Sequence, residues 1–249
     1  MAIMIKTPEE IAKMRVSGRA LRQVHDAIAP HVVAGVSTMD LEEIAVKKIA
    51  ELDAKAAFKG YHGYPSALCT SVNEEVVHGM PNAKRVLKEG DVLSIDCGVI
   101  IDGYYADAAV TYPIGKVSDH ARKLLNVTLH SLEEAIKQCQ VGGRLSDISA
   151  TVQRICEAEG FGVVREFVGH GIGRSMHEDP QVPNFGEAGK GPRLKAGMVL
   201  AIEPMINAGG AGVHVLKDGW TAVTNDGSYS AHFEHTVAIT KDGPQVLTR

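Results

Sequence analysis

The hydrophobic pattern of the chain predicts two pairs of amphipathic helices. The first helix starts at Thr7-Pro8-Glu9-Glu10, where Thr7 is the predicted N-cap and Glu10 completes a capping box. Apolar residues then recur at helical spacing, namely Ile11, Met14, Leu21, Val24 and Ile28. The other three predicted helices run from about residue 37 to near residue 58, over 118–139 and over 146–159. Ser146 is the predicted cap of the last helix.

The remaining apolar runs are short and predict strands. Runs 91–101 and 104–113 flank Asp102-Gly103, a pair typical of a two-residue hairpin because a type I′ turn needs positive φ at both positions. Further strands are expected over 197–206 and toward 230–240, after a Pro/Gly-rich surface loop over 180–192. Two helices and a hairpin, followed by two helices and strands, indicate a duplicated α+β layout. No stretch resembles a linker, so we expect one domain, residues 1–249.

A repeat in the sequence supports this duplication. Residues 88–96 read KEGDVLSID and residues 195–203 read KAGMVLAIE, so that five of nine positions are identical and an acid ends both copies. The acids are Asp96 and Glu203, each at the end of an apolar run. Because a buried carboxylate is costly unless it is paired or bound to a cation, the repeat predicts a pseudo-two-fold scaffold built around buried acids.

The hairpin predicts which acids lie together. If Asp102-Gly103 is the turn, Ile101 faces Tyr104 and Asp96 faces Ala109. Asp107 then lies on the same face as Asp96, as a diagonal neighbour roughly 7–8 Å away. A slip of one residue in the register would put the two acids on opposite faces.

The composition limits the classes of partner and the compartment. A formal net charge of −4 gives no reason to expect nucleic acid or an anionic membrane as a partner. The four cysteines show no Cys-x-x-Cys spacing and are expected to be reduced thiols. The N-terminus lacks the apolar run of a signal peptide, and no apolar stretch is long enough to cross a bilayer. We therefore expect a cytoplasmic protein.

Five residues offer oxygen and nitrogen ligands for metal, namely Asp96, Asp107, His170, Glu203 and Glu234. The set is dominated by hard oxygen donors, which excludes a thiolate-bound structural zinc. A single Mg²⁺ or Ca²⁺ would not usually take the histidine. Four negative charges match two divalent cations. Paired divalent ions can generate hydroxide near neutral pH, so the residues predict hydrolysis of an acyl or phosphoryl group.

The spacing of these five residues resembles that of the type I methionine aminopeptidases, in their short bacterial form, of peptidase family M24. Other matching motifs are Tyr61-His-Gly-Tyr-Pro65, His78-Gly79, Gly169-His-Gly-Ile-Gly173, His177-Glu178, Ile202-Glu-Pro204 and Phe233-Glu-His235. The resemblance implies the pita-bread fold, a pseudo-symmetric antiparallel sheet backed by two pairs of helices. It also implies removal of the initiator methionine from peptides and nascent chains when the second residue is small.

The resemblance also implies roles for individual residues. Asp107 and Glu234 would bridge two metal ions, Asp96 would complete one metal site, and His170 and Glu203 would complete the other. Glu203 would also handle the proton of the attacking water. Mn²⁺, Fe²⁺, Co²⁺ and Zn²⁺ all suit such ligands.

Residues outside the ligand set also receive roles from the resemblance. His177 would stabilise the tetrahedral oxyanion and His78 would contact the scissile amide nitrogen. The residues expected to line the methionine pocket are Tyr61, Tyr64, Cys69 and Trp220. The implied enzyme is a monomer that contacts the ribosome transiently.

Two departures from relatives leave other hypotheses open. Phe58 and Met176 stand where some relatives have a cysteine and a phenylalanine near the pocket. One alternative is therefore an aminopeptidase of the same fold that prefers another terminal residue. A second, from a different class, is a non-catalytic member of the fold that binds peptide or the ribosome.

Simpler explanations exist for each residue taken alone. Asp96 and Asp107 could be hairpin acids facing solvent, and His170 could be a turn residue between two glycines. His78 and His177 could be hydrogen-bonded loop histidines, and the pocket aromatics could serve only in packing.

Overall fold

The computed structural model describes residues 2–249, which contain four α-helices and fifteen short strands. The helices are α1 (Pro8–Ile28), α2 (Thr38–Glu51), α3 (Asp119–Lys137) and α4 (Leu145–Ala158). The strands of the first half are β1 (Lys55–Ala56), β2 (Leu68–Val72), β3 (Glu75–Val77), β4 (Val92–Ile101) and β5 (Tyr104–Pro113). Those of the second half are β6 (Gly162–Val163), β7 (Gly169–Gly171), β8 (Glu178–Val182), β9 (Val199–Ile202), β10 (Met205–Asn207), β11 (Val213–Val215), β12 (Ala222–Thr224), β13 (Ser230–His232), β14 (His235–Thr240) and β15 (Gly243–Val246). None of the helices described is long and apolar enough to cross a membrane.

All strand pairs are antiparallel, and two sheets form the centre of the molecule. In one, β4 pairs with β5 along one edge and with β1 and β2 along the other. In the other, the order is β15-β14-β9-β7-β8. Hydrogen bonds join the two sheets, since Glu234 N–H donates to Ala109 O (2.9 Å) and Thr236 Oγ1 both donates to and accepts from the Asp107 backbone.

Each pair of helices packs on its own sheet. Leu21 and Leu41, from α1 and α2, share a buried cluster with Leu93 and Ile95 of β4. The corresponding residues of α3 and α4 share a cluster with β9, and this cluster includes Leu124, Leu132, Ile148, Leu200 and Ile202. The predicted α+β layout of two helix pairs on antiparallel strands is confirmed.

The sequence repeat has the same backbone structure in both copies. Gly90 and Gly197 have φ of +93° and +94°. They donate their N–H groups to Ile114 O and Ile239 O respectively, both at 2.9 Å. From these turns, β4 and β9 run toward Asp96 and Glu203 in the same way. The predicted duplication is therefore present in three dimensions.

The predicted hairpin register is confirmed. Asp102 and Gly103 have φ of +50° and +78°, and Ile101 pairs with Tyr104. Asp96 pairs with Ala109, which brings Asp107 onto the face that Asp96 occupies. A two-residue turn sets the register of the whole hairpin, which is why the sequence was sufficient here.

The prediction that the second helix extends to near residue 58 was wrong. The helix α2 ends at Glu51, and Asp53 has a left-handed φ of +52°. Lys55 and Ala56 then pair with the far end of β4. The residues after Glu51 are good helix formers, so pairing with the sheet overrides their local preference.

Two further predictions need correction. Ser146 does not cap α4, because Arg144 occupies that position and its N–H donates to Asp147 Oδ2 (2.8 Å). The Ser146 hydroxyl instead bonds the backbone of Lys190 in the long loop. The predicted strand 197–206 is divided into β9 and β10 at Glu203-Pro204, because proline has no N–H to donate to a ladder.

The two equivalent glycines allow a matched test of the repeat. Gly90→Ala and Gly197→Ala each place an L-residue at a left-handed φ, which costs about 1–2 kcal/mol. A Cβ on Gly197 would also lie 2.6 Å from Lys6 O, whereas on Gly90 the nearest atom is Lys116 O at 3.9 Å. We expect Gly197→Ala to lose about 1–3 kcal/mol more unfolding free energy than Gly90→Ala, measured by urea denaturation. Equal losses would contradict this assignment of the two environments.

Candidate metal centre

The five predicted ligands converge where the two central sheets meet. Asp96 and Asp107 come from β4 and β5, and His170 from β7, while Glu203 follows β9 and Glu234 lies between β13 and β14. All five line a single cavity of about 250 Å³. The two copies of the repeat thus place their terminal acids, Asp96 and Glu203, in the same cavity.

The distances between these side chains suit a bound cation. His170 Nε2 lies 3.5 Å from Glu203 Oε1 and 4.0 Å from Asp107 Oδ2. Ligand atoms of Asp107, His170 and Glu234 all lie within 4.8 Å of one another. Metal–ligand bonds of about 2.0–2.2 Å place ligand atoms up to roughly twice that distance apart, so small movements would bring this trio onto one ion.

Several of the oxygens are buried without a hydrogen-bond partner. Asp96 Oδ1, Asp107 Oδ1 and Glu234 Oε1 are in this state. Buried polar atoms normally have a hydrogen-bond partner. Several carboxylate oxygens that face one another without partners are therefore unfavourable in a protein interior. A divalent cation would satisfy the lone pairs and offset the charge, so the donor set fits a metal ion.

Burial raises the pKa values of all four acids, and repulsion from neighbouring acids adds to it for Asp96, Glu203 and Glu234. Burial is the larger cause for Glu203 and Glu234, whose pKa values rise well above the usual range, and the charge of Asp107 adds to it. The pKa of Asp96 rises for the same two reasons. Burial raises the pKa of Asp107 to about 7. Without metal, the cluster therefore retains protons near neutral pH that a cation would displace.

His170 presents a neutral nitrogen to these acids. Burial lowers its pKa to about 4. Its Nδ1 lies 2.9 Å from Gly171 O, and because a carbonyl can only accept, Nδ1 carries the proton. Nε2 is then the free lone pair, and it faces Glu203 and Asp107. A backbone carbonyl that fixes the tautomer in this way is usual for metal-binding histidines.

The two predicted catalytic histidines line the same cavity. Tyr61 Oη lies 2.8 Å from His177 Nδ1, and the rings of His177 and His170 have centroids 4.3 Å apart. His78 has a left-handed φ of +61° and packs edge-to-face on Phe167. A left-handed backbone at a non-glycine residue is strained and is often found at functional sites.

The predicted pocket residues form the apolar wall of the cavity. Tyr61, Tyr64, Cys69 and Trp220 all line it, and so do Phe58 and Met176. Tyr64 is held in place because its hydroxyl donates to Leu68 O (3.0 Å) and its ring packs edge-to-face on Trp220. A Cβ on Gly98 would lie 2.9 Å from both Phe58 and Met176, so this glycine lets the two side chains approach the strand.

Sequence reasoning missed His232, which also contacts the acids. It is buried at the end of β13, with Nε2 lying 3.6 Å from Glu203 Oε2 and without a hydrogen-bond partner. The signal was its position two residues before Glu234, since alternate residues of an extended chain share a face. His62, which was not assigned a role either, lies at the cavity too.

Comparison with known proteins decides the family. The model of metallopeptidase family M24 matches residues 12–241. The chain belongs to this family. It is 51% identical to methionine aminopeptidase 1 of Bacillus subtilis, over 99% of each chain, and 46% identical to the methionine aminopeptidase of Escherichia coli, over 100% of this chain and 94% of that one.

Solved structures agree with the assignment to family M24. The crystal structure of the methionine aminopeptidase from Thermotoga maritima superimposes with a TM-score of 0.98 at 49% identity, covering all of both chains. The prolidase from Pyrococcus horikoshii is 20% identical, with a TM-score of 0.79 over 98% of this chain and 63% of that one, and thus shares the fold alone. The predicted pita-bread fold is confirmed, and family M24 membership together with the acid cluster indicates a divalent-metal peptidase.

The raised pKa values predict how the stability of the metal-free M24 protein depends on pH. An acid whose pKa is higher in the folded protein than in the unfolded chain stabilises the fold at pH values below its pKa in the unfolded chain. This stabilisation is lost as the pH rises through the pKa of the folded protein, which is about 7 for Asp107. Histidines with lowered folded pKa values oppose this trend near pH 6.5, where the unfolded imidazoles are half protonated, and their effect fades above about pH 7. We therefore expect the Tm of EDTA-treated protein to fall between about pH 7 and 8, because the pKa values of Glu203, Glu234 and Asp96 are raised well above their usual range.

Calorimetry with and without Mn²⁺ checks this prediction. Bound metal keeps its ligands deprotonated, so the loaded protein should lack this fall in Tm. Asp107→Asn should flatten the slope of the metal-free protein. Parallel curves for the loaded and metal-free protein would contradict the prediction.

Proposed function

We propose that this M24 chain is a methionyl aminopeptidase that removes the initiator methionine from peptides and nascent chains when the second residue is small. The observation that carries the proposal is a cavity with four carboxylates and an imidazole at one end and an apolar wall at the other. Identity of 46–51% to methionine aminopeptidases over nearly the whole chain supports the same activity.

Two divalent ions, drawn from Mn²⁺, Fe²⁺, Co²⁺ or Zn²⁺, complete the proposed centre. Asp107 and Glu234 would contact both ions, Asp96 would hold one, and His170 and Glu203 the other. When bound, such ions polarise a carbonyl and make water acidic near neutral pH. Ligand atoms of Asp107, His170 and Glu234 lie within 4.8 Å of one another, which supports the proposal that these residues hold a common ion.

Glu203 is the proposed proton carrier. Its pKa is raised by burial, so its carboxylate can take a proton from the attacking water and return it to the leaving amine. His177 is the proposed oxyanion donor. If the Tyr61 hydroxyl donates to Nδ1, the proton of this neutral ring is on Nε2, from which it can be donated to substrate. His78 would donate to, or accept from, the scissile amide.

The apolar wall is the proposed methionine pocket. Its aromatic rings and the Cys69 and Met176 sulfurs suit a polarisable thioether. A cavity of about 250 Å³ is below the roughly 300–1,000 Å³ of clefts for drug-sized ligands. It therefore suits one side chain and leaves little room for a bulky second residue. We further propose a cytoplasmic, monomeric, single-domain enzyme that contacts the ribosome only transiently.

Peptide cleavage tests the activity and the role of Glu203. Metal-stripped protein is incubated with Met-Ala, Met-Lys, Leu-Ala and Ala-Pro peptides, with and without Mn²⁺ or Co²⁺, and products are identified by mass spectrometry. We expect metal-dependent release of methionine from Met-Ala alone. Glu203→Gln should lower kcat by about 10²–10⁴, because it removes an acid–base group.

Glu187→Gln is the matched control for this experiment, since its side chain is 80% exposed on the long loop. It should leave activity unchanged. Release of a terminal residue other than methionine would show that the pocket prefers a different side chain. No release with any metal would refute the aminopeptidase and favour a binding protein.

A mutant cycle tests whether Tyr61 acts through His177. Tyr61→Phe removes the 2.8 Å hydrogen bond while keeping the ring, and should lower kcat up to about tenfold, equivalent to one hydrogen bond. In a His177→Gln background the same change should have no further effect. Additive losses in the double variant would show that Tyr61 contributes independently of His177.

A further inference from the structure

We propose that His232 is a nitrogen ligand of the metal centre, and that its Nε2 holds one divalent cation together with the carboxylates of Glu203 and Glu234. The inference deepens the proposed function and rests on metal binding at this site. Its first support is distance, since ligand atoms of these three residues all lie within 4.8 Å of one another. The trio shares Glu234 with the trio formed by Asp107 and His170.

The His232 ring is fixed against the acids. Its backbone N–H donates to Thr111 Oγ1 (2.8 Å), which in turn donates to His232 O (2.7 Å). The residue also pairs with Met205 in the ladder between β10 and β13. These bonds fix the backbone, and with only 1% of the residue exposed the ring is enclosed beside the acids.

A direct hydrogen bond does not account for the position of the ring. Nε2 lies 3.6 Å from Glu203 Oε2, beyond the 2.7–3.2 Å of an N–H···O bond. Nε2 has no other partner, and neither does Glu234 Oε1. Buried polar atoms that face one another beyond hydrogen-bonding distance are unfavourable unless something lies between them. A cation bonded to all three explains both the gap and the missing partners.

Glu203 lies between two imidazoles. Its Oε1 faces His170 at 3.5 Å and its Oε2 faces His232 at 3.6 Å. Since Glu203 and Glu234 also serve the ion that His170 is proposed to hold, that ion would have two nitrogen ligands. Because imidazole suits zinc and iron better than manganese, the second nitrogen should move the metal preference of this chain away from Mn²⁺.

X-ray absorption at the zinc edge tests the coordination directly. In the wild-type protein loaded with two equivalents of Zn²⁺, we expect the imidazole scattering of two histidines per centre. His232→Gln should lose half of it, and titration calorimetry should show one Zn²⁺ bound at least about tenfold more weakly. His235→Gln is the matched control, since this neighbouring, partly buried histidine bonds Thr248 Oγ1 instead, and it should leave both readouts unchanged.

The outcomes separate this inference from the proposed function. Unchanged scattering and affinity in His232→Gln would overturn the inference, even if the variant is less thermostable. If wild-type protein binds Zn²⁺ and cleaves Met-Ala, that failure would leave the aminopeptidase intact. Wild-type protein that binds no divalent metal would overturn both.

Discussion

The rest of the structure depends on four buried carboxylates that face one another. Each would be unfavourable alone, and together they repel, as the raised pKa values of Glu203, Glu234, Asp96 and Asp107 express. Residues of both central sheets form the cluster, and hydrogen bonds join the two sheets beside it. The repulsion among the acids, the contact between the two sheets and the position of the residues proposed to bind metal are therefore linked.

The sequence was sufficient where a local rule had long-range consequences. Asp102-Gly103 set the register of a hairpin of two ten-residue strands, and with it the common face of Asp96 and Asp107. The repeat ending in Asp96 and Glu203 predicted the duplicated layout, since a glycine turn and an apolar run specify the same strand twice. All of the residues suggested by the family resemblance line one cavity.

The sequence was insufficient where tertiary contacts decided the outcome. Residues after Glu51 prefer a helix locally, but two of them are needed to extend the sheet beside β4. Serine is a common N-cap residue, yet the Ser146 hydroxyl donates to the Lys190 carbonyl in the long loop instead. His232 belongs to none of the recognised motifs, and its proposed role depends on its contact with Glu203, 29 positions earlier in the chain.

The repeat also has an evolutionary consequence at the point where its copies meet. Ala109 and Glu234 are equivalent, because each lies five residues before the isoleucine whose carbonyl bonds the equivalent glycine, Gly90 or Gly197. These two positions also touch, since Glu234 N–H donates to Ala109 O. In a symmetric dimer of half-length ancestors, both positions would carry the same residue. Within one covalent chain the two positions can differ, and here an alanine stands on one side and a carboxylate on the other.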